Sequence, residues 1–229
     1  MKFYFNEWSH EQAESEFKEY LRIAYYSFVE CVHNVFKIAM KNIPEPEIHE
    51  TLLLRGGFIS DPLIIGIRTR FGNESYECCE TCWSNWLLSS LENFSHELGH
   101  YLHYLSNEGI RNISLKEIGN RTKEEKYLSE IVAQTACCYY LYKQGLLGRL
   151  MKLQIEIGKG PIRDDIDTIA FHFFDTGVKK NTKKLTELVQ SDISKASSLL
   201  EPYFSDEVVP YMDTPYKFRC NGQDKYDKR

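Results

Sequence analysis

The 229-residue chain predicts an α+β fold, mostly α-helical, with a small antiparallel sheet beside one central helix. Three observations predict it. Apolar residues recur at spacings of three and four over several long stretches, the period of a helix with one buried face. Strand-like alternation is confined to one region between residues 51 and 71. Proline and glycine breaks fall between the periodic stretches, where they separate elements. The length suits one core, so residues 1–229 are read as one domain: an N-terminal helical segment (1–50), the sheet and central helices (51–145), C-terminal helices (146–205) and a tail (206–229).

The first helix opens at Ser9, which forms a capping-box pattern with Gln12. Its stripe is Phe17, Leu21, Ala24, Phe28, Cys31, Val35 and Ala39, and Pro44 and Pro46 in 42–47 end it. His10 and His33 read as surface or partly packed residues. Residues 51–54 form a short apolar run, Gly56-Gly57 a break, and 63–71 an alternating strand after an Asp61-Pro62 turn, which together predict a hairpin. Residues 72–83 read as a loop, and Ser84 or Ser89 as the cap of a helix over 87–105. Leu87, Leu91, Phe94, Leu98, Tyr101, Leu102 and Leu105 are that helix's buried stripe. Asn107-Glu108-Gly109 stops it and 110–121 is a connection. A second central helix runs over 123–143, burying Tyr127, Leu128, Ile131, Thr135, Cys138 and Tyr142. Pro161 opens a further helix, with Asp164, Asp165 and Asp167 matched to its dipole and Gly177 closing it. A last helix over 182–200 buries Leu185, Leu188, Val189, Ile193, Ala196 and Leu199, before Pro202, Pro210 and Pro215 break up the tail.

A net charge of -5 gives no reason to expect nucleic-acid binding, and the basic residues of 217–229 are mixed with Asp224 and Asp227. No stretch approaches the roughly 18 apolar residues that span a bilayer, and the N-terminus lacks a leader pattern. A cytoplasmic protein with no membrane partner is expected. Seven cysteines, an odd number, read as reduced thiols. Cys78, Cys79 and Cys82 contain one Cys-x-x-Cys spacing, half of a structural zinc site. No second such pair follows, and Cys137 and Cys138 diverge by about 100° on a helix.

The chemistry concentrates in His96-Glu97-Leu98-Gly99-His100. Two imidazoles four residues apart share a helix face about one turn apart and can bind one metal ion, with a carboxylate beside the first. Both histidines fall opposite the apolar stripe, towards solvent or a cleft. Gly99 costs the helix about 1 kcal/mol relative to alanine, so close approach of a strand or substrate is expected there. A hydrolytic zinc site takes three protein ligands. Glu130, on the flank of the next helix's buried face, is the choice for the third, because an unpaired carboxylate there is costly to desolvate. Glu124 and Glu125 compete, but they lie in a charged first turn where acidic residues suit the helix dipole; Glu117 lies in the connection. Gln134, one turn after Glu130, either accepts a hydrogen bond from a ligand histidine or is solvent-exposed. His103 shares the histidine face but lies about 10 Å along the axis from His96, too far to share its metal. It reads as a residue of the cleft wall or as a surface histidine.

Together, His96-Glu97-Leu98-Gly99-His100 and Ser129-Glu130-Ile131-Val132-Ala133-Gln134 resemble the gluzincin group of zinc metallopeptidases, whose third ligand is a glutamate on a following helix. Within that group the compact size and the short glutamate helix resemble the ImmA/IrrE and ArdC-like metallopeptidases. The resemblance covers 85–142 and implies a zincin-like fold and one Zn2+ held by His96, His100 and Glu130. It also implies hydrolysis of peptide bonds in a protein or peptide substrate, with Glu97 as general base. His172, set among aromatics in Phe171-His172-Phe173-Phe174, is a candidate oxyanion donor or a core histidine. Larger gluzincins often carry asparagine before the ligand glutamate and aspartate four residues after it, where this chain has Ser129 and Gln134. The alternatives are a weakly catalytic protein-binding or regulatory module with structural zinc, and a helical adaptor without metal.

Overall fold

The computed structural model describes residues 10–50, 57–60, 63–67, 80–114, 122–156 and 165–203. It is an α+β fold, mostly helical, with one three-stranded sheet. Its elements are α1 (His10–Phe36), β1 (Glu47–Glu50), β2 (Gly57–Ser60), β3 (Leu63–Ile67), α2 (Glu80–Ser106), α3 (Glu108–Ser114), α4 (Lys123–Lys143), α5 (Leu147–Glu156), α6 (Asp165–Phe173), α7 (Lys183–Val189) and α8 (Ile193–Leu200). None of the described helices is long and apolar enough to cross a membrane.

The stripe of α1 packs as expected, with Phe17, Leu21, Ala24, Phe28 and Val35 buried. The helix stops at Phe36, ahead of the prolines, because Lys37 adopts a left-handed backbone (φ 56°) and Nδ1 of His33 donates to the Ile38 carbonyl at 3.2 Å. Ala39 is therefore outside the helix and exposed. The proline segment has a second role. The Pro44 carbonyl accepts the hydroxyls of Tyr25 on α1 and Tyr101 on α2, fastening those two helices through one strap.

The sheet corrects the expectation of a purely antiparallel one. β2 and β3 form an antiparallel hairpin with Ser60 opposite Leu63, its first strand starting at Gly57 where a break was expected, and β1 pairs with β3 in parallel, Glu47 opposite Ile64, giving the order β1-β3-β2. Glu47-Ile48-His49-Glu50 has a single apolar residue, too little alternation to announce a strand. The expected strand at 51–54 and the continuation of β3 past Ile67 lie outside the described residues. Ile65 and Ile67 of β3 are buried, and Phe58 of β2 packs edge-on against Tyr101 and Tyr104 of α2, ring centres 5.8 and 5.7 Å away.

α2 begins at Glu80, well before its apolar stripe, so Ser84 and Ser89 lie inside it and cap nothing; Ser84 Oγ accepts from Arg149 at 2.6 Å instead. Asn107 ends α2 as predicted but also starts α3, its Oδ1 accepting the Ile110 amide at 3.2 Å. α4 has its predicted span and a reciprocal capping box between Thr122 and Glu125. It is more deeply set than one stripe implies: Ile131, Val132, Ala133, Ala136, Cys137, Tyr140 and Leu141 are all buried, because α1, α2, α5, α6, α7 and α8 surround it. Tyr142, assigned to its inner face, is 42% exposed and lies under the Lys179 ammonium.

Past α6 the chain makes a π-helical turn, Phe174–Val178, that carries Gly177. The expected single helix over 182–200 is two helices. Asp192 caps α8 by accepting the Lys195 amide at 2.8 Å, so the apolar period continues across a break in the backbone. One buried cluster runs from α1 through β3, α2 and α4 to α8.

Candidate metal centre

The centre is built where α2 and α4 cross. Successive contacts pair Glu92 with Cys137, His96 with Gln134, Gly99 with Ala133 and His100 with Ser129, so the two helices run antiparallel. Their approach is set by Gly99. A Cβ there would lie 2.7 Å from the Ala133 Cα and 2.9 Å from its carbonyl oxygen, closer than any side chain tolerates. The predicted close approach is thus real, but the neighbour is a helix rather than a strand or substrate. Both histidines consequently face α4 and are largely covered, with side chains 20% and 13% exposed, and Glu130 opens the group to solvent at 43%.

Three side chains converge there. Nε2 of His96 lies 3.2 Å from Oε2 of Glu130, Nε2 of His100 lies 3.4 Å from Oε1, and the two Nε2 atoms are 3.1 Å apart. Ligand atoms about 2.0–2.2 Å from one tetrahedral ion sit roughly 3.3–3.6 Å from each other, and each of these three contacts is near that spacing, the two to Glu130 being made by its two different oxygens. The outer nitrogens are engaged as well. Nδ1 of His96 donates to Gln134 Oε1 at 2.8 Å, and Nδ1 of His100 meets Ser129 Oγ at 2.9 Å. An amide oxygen can only accept, so Nδ1 of His96 carries a proton and its Nε2 can turn a lone pair towards Glu130 and His100. Among the described residues, His96, His100 and Glu130 are the group positioned to bind a metal ion.

The electrostatics agree with that chemistry. Burial pulls the His96 pKa down, but the Glu130 hydrogen bond, the charges of Glu97 and Glu130, and Gln134 outweigh it and raise it to about 9. Burial pushes Glu130 the other way, yet His100 and His96 hold its carboxyl well below the usual range. The site therefore favours positive charge, whether a proton or a metal ion supplies it. Glu97 is 7% exposed and makes no hydrogen bond among the described residues. Burial raises its pKa against the pull of His100 and His96.

The competing carboxylates are accounted for in part: Glu125 is held in the capping box and Glu124 is exposed, while Glu117 lies outside the described residues. His103 departs from expectation. It is fully buried, neither nitrogen has a hydrogen-bond partner, and burial, with the nearby His100 charge, pushes its pKa down to about 3. It lines no open cleft, because the chain leaving α7 covers this turn of α2, tied by Asn107 Nδ2 donating to the Val189 carbonyl at 2.8 Å. The Val189 carbonyl, which accepts from Asn107, also lies close enough to His103 to act against that shift. His172 packs edge-on against Tyr203 with ring centres 5.4 Å apart, its Nδ1 is buried and unpartnered, and no described hydrogen bond joins it to His96, Glu97, His100 or Glu130. Cys137 and Cys138 are buried core residues; Cys78, Cys79 and the Cys82 side chain lie outside what is described. Ser129 is the partner that sequence reasoning missed. Pairing His96 with Gln134 in an antiparallel crossing places His100 opposite Ser129, and that register was the available signal.

No family model, curated protein or solved structure matches the chain.

Proposed function

We propose that this chain is a zinc-dependent metallopeptidase of the gluzincin type, hydrolysing peptide bonds in a protein or peptide substrate. The observation that carries the reading is the group of His96 Nε2, His100 Nε2 and a Glu130 oxygen, open on the Glu130 side, with the buried Glu97 carboxylate beside it. Two neutral imidazoles and one carboxylate suit zinc. Zinc held by His96, His100 and Glu130 would supply a Lewis acid able to lower the pKa of water towards neutrality and to polarise a carbonyl. The same donor set also suits non-haem iron, but a carboxylate next to the site has a ready use in hydrolysis. The exposure of Glu130 favours an open, reactive site over a closed structural one.

In this reading His96, His100 and Glu130 hold the metal. Glu97 takes a proton from the attacking water as the water oxygen bonds to the peptide carbon, and passes that proton to the amine nitrogen as the carbon–nitrogen bond breaks. Burial raises the Glu97 pKa and strengthens it as a base, and the positive charge of a bound ion would act against that rise. The test is cleavage of an unstructured protein, followed by mass spectrometry, by wild type and Glu97→Gln with zinc content measured on both. Cleavage lost in Glu97→Gln with zinc retained is the expected result; equal cleavage by the two would overturn the mechanism.

A further inference from the structure

Each ligand histidine has its outer nitrogen fixed, and both partners come from α4: Ser129 directly before Glu130 and Gln134 one turn after it. One helix therefore carries the third ligand and both groups that orient the other two. The Gly99–Ala133 contact sets the distance at which all three are delivered. The partners share a second property, which is that neither is charged. Carboxylates are common partners for metal-binding histidines, where they push electron density onto the imidazole and make it a better donor. An amide oxygen at 2.8 Å and a hydroxyl at 2.9 Å fix the ring without that push.

We infer that Ser129 and Gln134 are positioning residues that orient both imidazoles for a metal ion, Gln134 also fixing the His96 tautomer, while leaving the bound metal more electron-poor, and more weakly held, than acidic partners would. The inference rests on the metal-site reading above and goes beyond the identity of the ligands. A merely structural role for Gln134 predicts that any well-folded replacement binds metal alike. A positioning role with a charge component predicts opposite signs for two replacements of similar size. Gln134→Glu keeps the acceptor and adds charge, so it tightens binding; Gln134→Leu removes the acceptor, freeing the ring, and weakens it.

The experiment titrates metal-free protein with zinc against a chromophoric chelator at one fixed pH, for wild type, Gln134→Glu, Gln134→Leu and Ser129→Asp. The expected results are about 10–100-fold weaker binding for Gln134→Leu, the usual effect of losing such a partner, and tighter binding for Gln134→Glu and Ser129→Asp. The visible spectrum of the cobalt-substituted forms should keep the wild-type coordination number in the two acidic variants. Affinities within about twofold of wild type in all three, or weakening by Gln134→Glu while its thermal melt is unchanged, would overturn this inference and leave the metal site standing. A wild-type chain that binds no zinc would overturn both. Should Gln134→Leu fail to fold, the two acidic variants still decide by their sign.

Discussion

One helix holds two kinds of histidine. On α2, His96 and His100 lie about one turn apart and His103 most of a turn further on, yet their surroundings drive them apart: the His96 pKa is raised to about 9 and that of His103 lowered to about 3. Burial acts in the same direction on both. What differs is the neighbour that each one meets. At the first turn α4 presents Glu130, Gln134 and Ser129, so buried nitrogens find a carboxylate and two polar partners. At the second, the end of α7 closes over an imidazole and supplies a backbone carbonyl rather than a carboxylate. Burial alone makes a neutral core residue; burial against a carboxylate makes a cation site.

The largest test of this contrast is removal of His100 against removal of His103. His100→Leu should abolish tight metal binding, whereas His103→Leu should leave it intact, as read by zinc retained after dialysis against a weak chelator. Comparable zinc loss in both would erase the distinction. Hydrolysis should fall by about 10²–10⁴-fold in Glu97→Gln, the usual contribution of a general base, measured as the initial rate of peptide cleavage.

Next in size is the helix crossing. Gly99→Ala puts a methyl against the Ala133 backbone and should destabilise the chain by about 1–3 kcal/mol, the usual cost of overpacking, and also weaken zinc binding. His103→Leu should go the other way, gaining about 1 kcal/mol because an unsatisfied buried polar group is replaced by an apolar one of similar size. Urea unfolding of the metal-free proteins reads both; a destabilised His103→Leu would mean that the imidazole has a polar role.

The smallest effects are in pH dependence, and the two turns predict opposite windows. The His96 pKa is raised from 6.5 to about 9, so its contribution to the metal-free fold is fully present below about pH 6.5 and is lost as pH rises through 9. The His103 pKa is lowered from 6.5 to about 3, so its contribution is present above about pH 6.5 and is lost as pH falls towards 3. Thermal melts of the metal-free protein should therefore flatten at the alkaline end in His96→Leu and at the acid end in His103→Leu. The thermal shift produced by zinc should grow between pH 6.5 and 9, as the proton on His96 ceases to compete.

The site was legible from sequence to the extent that helical period alone decides it. The spacing of His96 and His100 puts them on one face, and Gln134 follows Glu130 by one turn, so both pairs are local facts about α2 and α4. Gly99 could be flagged as costly, but only the crossing of α2 with α4 identifies Ala133 as its neighbour. Ser129 and His103 depend in the same way on what another element brings. Ser129 matters through the antiparallel register, and His103 is buried because Asn107 ties down the chain after α7. In the fold, the long amphipathic helices were visible, whereas β1 was hidden by its single apolar residue. The break between α7 and α8 was hidden because Asp192 interrupts the backbone without interrupting the apolar period.

The measurement that bears most directly on this account is metal content per chain, by mass spectrometry of the intact protein under non-denaturing conditions after purification in the presence of zinc, for wild type and Glu130→Gln. One zinc ion per wild-type chain, lost on mild chelation from Glu130→Gln but not from wild type, is the predicted result. A wild-type chain without metal, or one whose zinc is held equally well after Glu130→Gln, would contradict it.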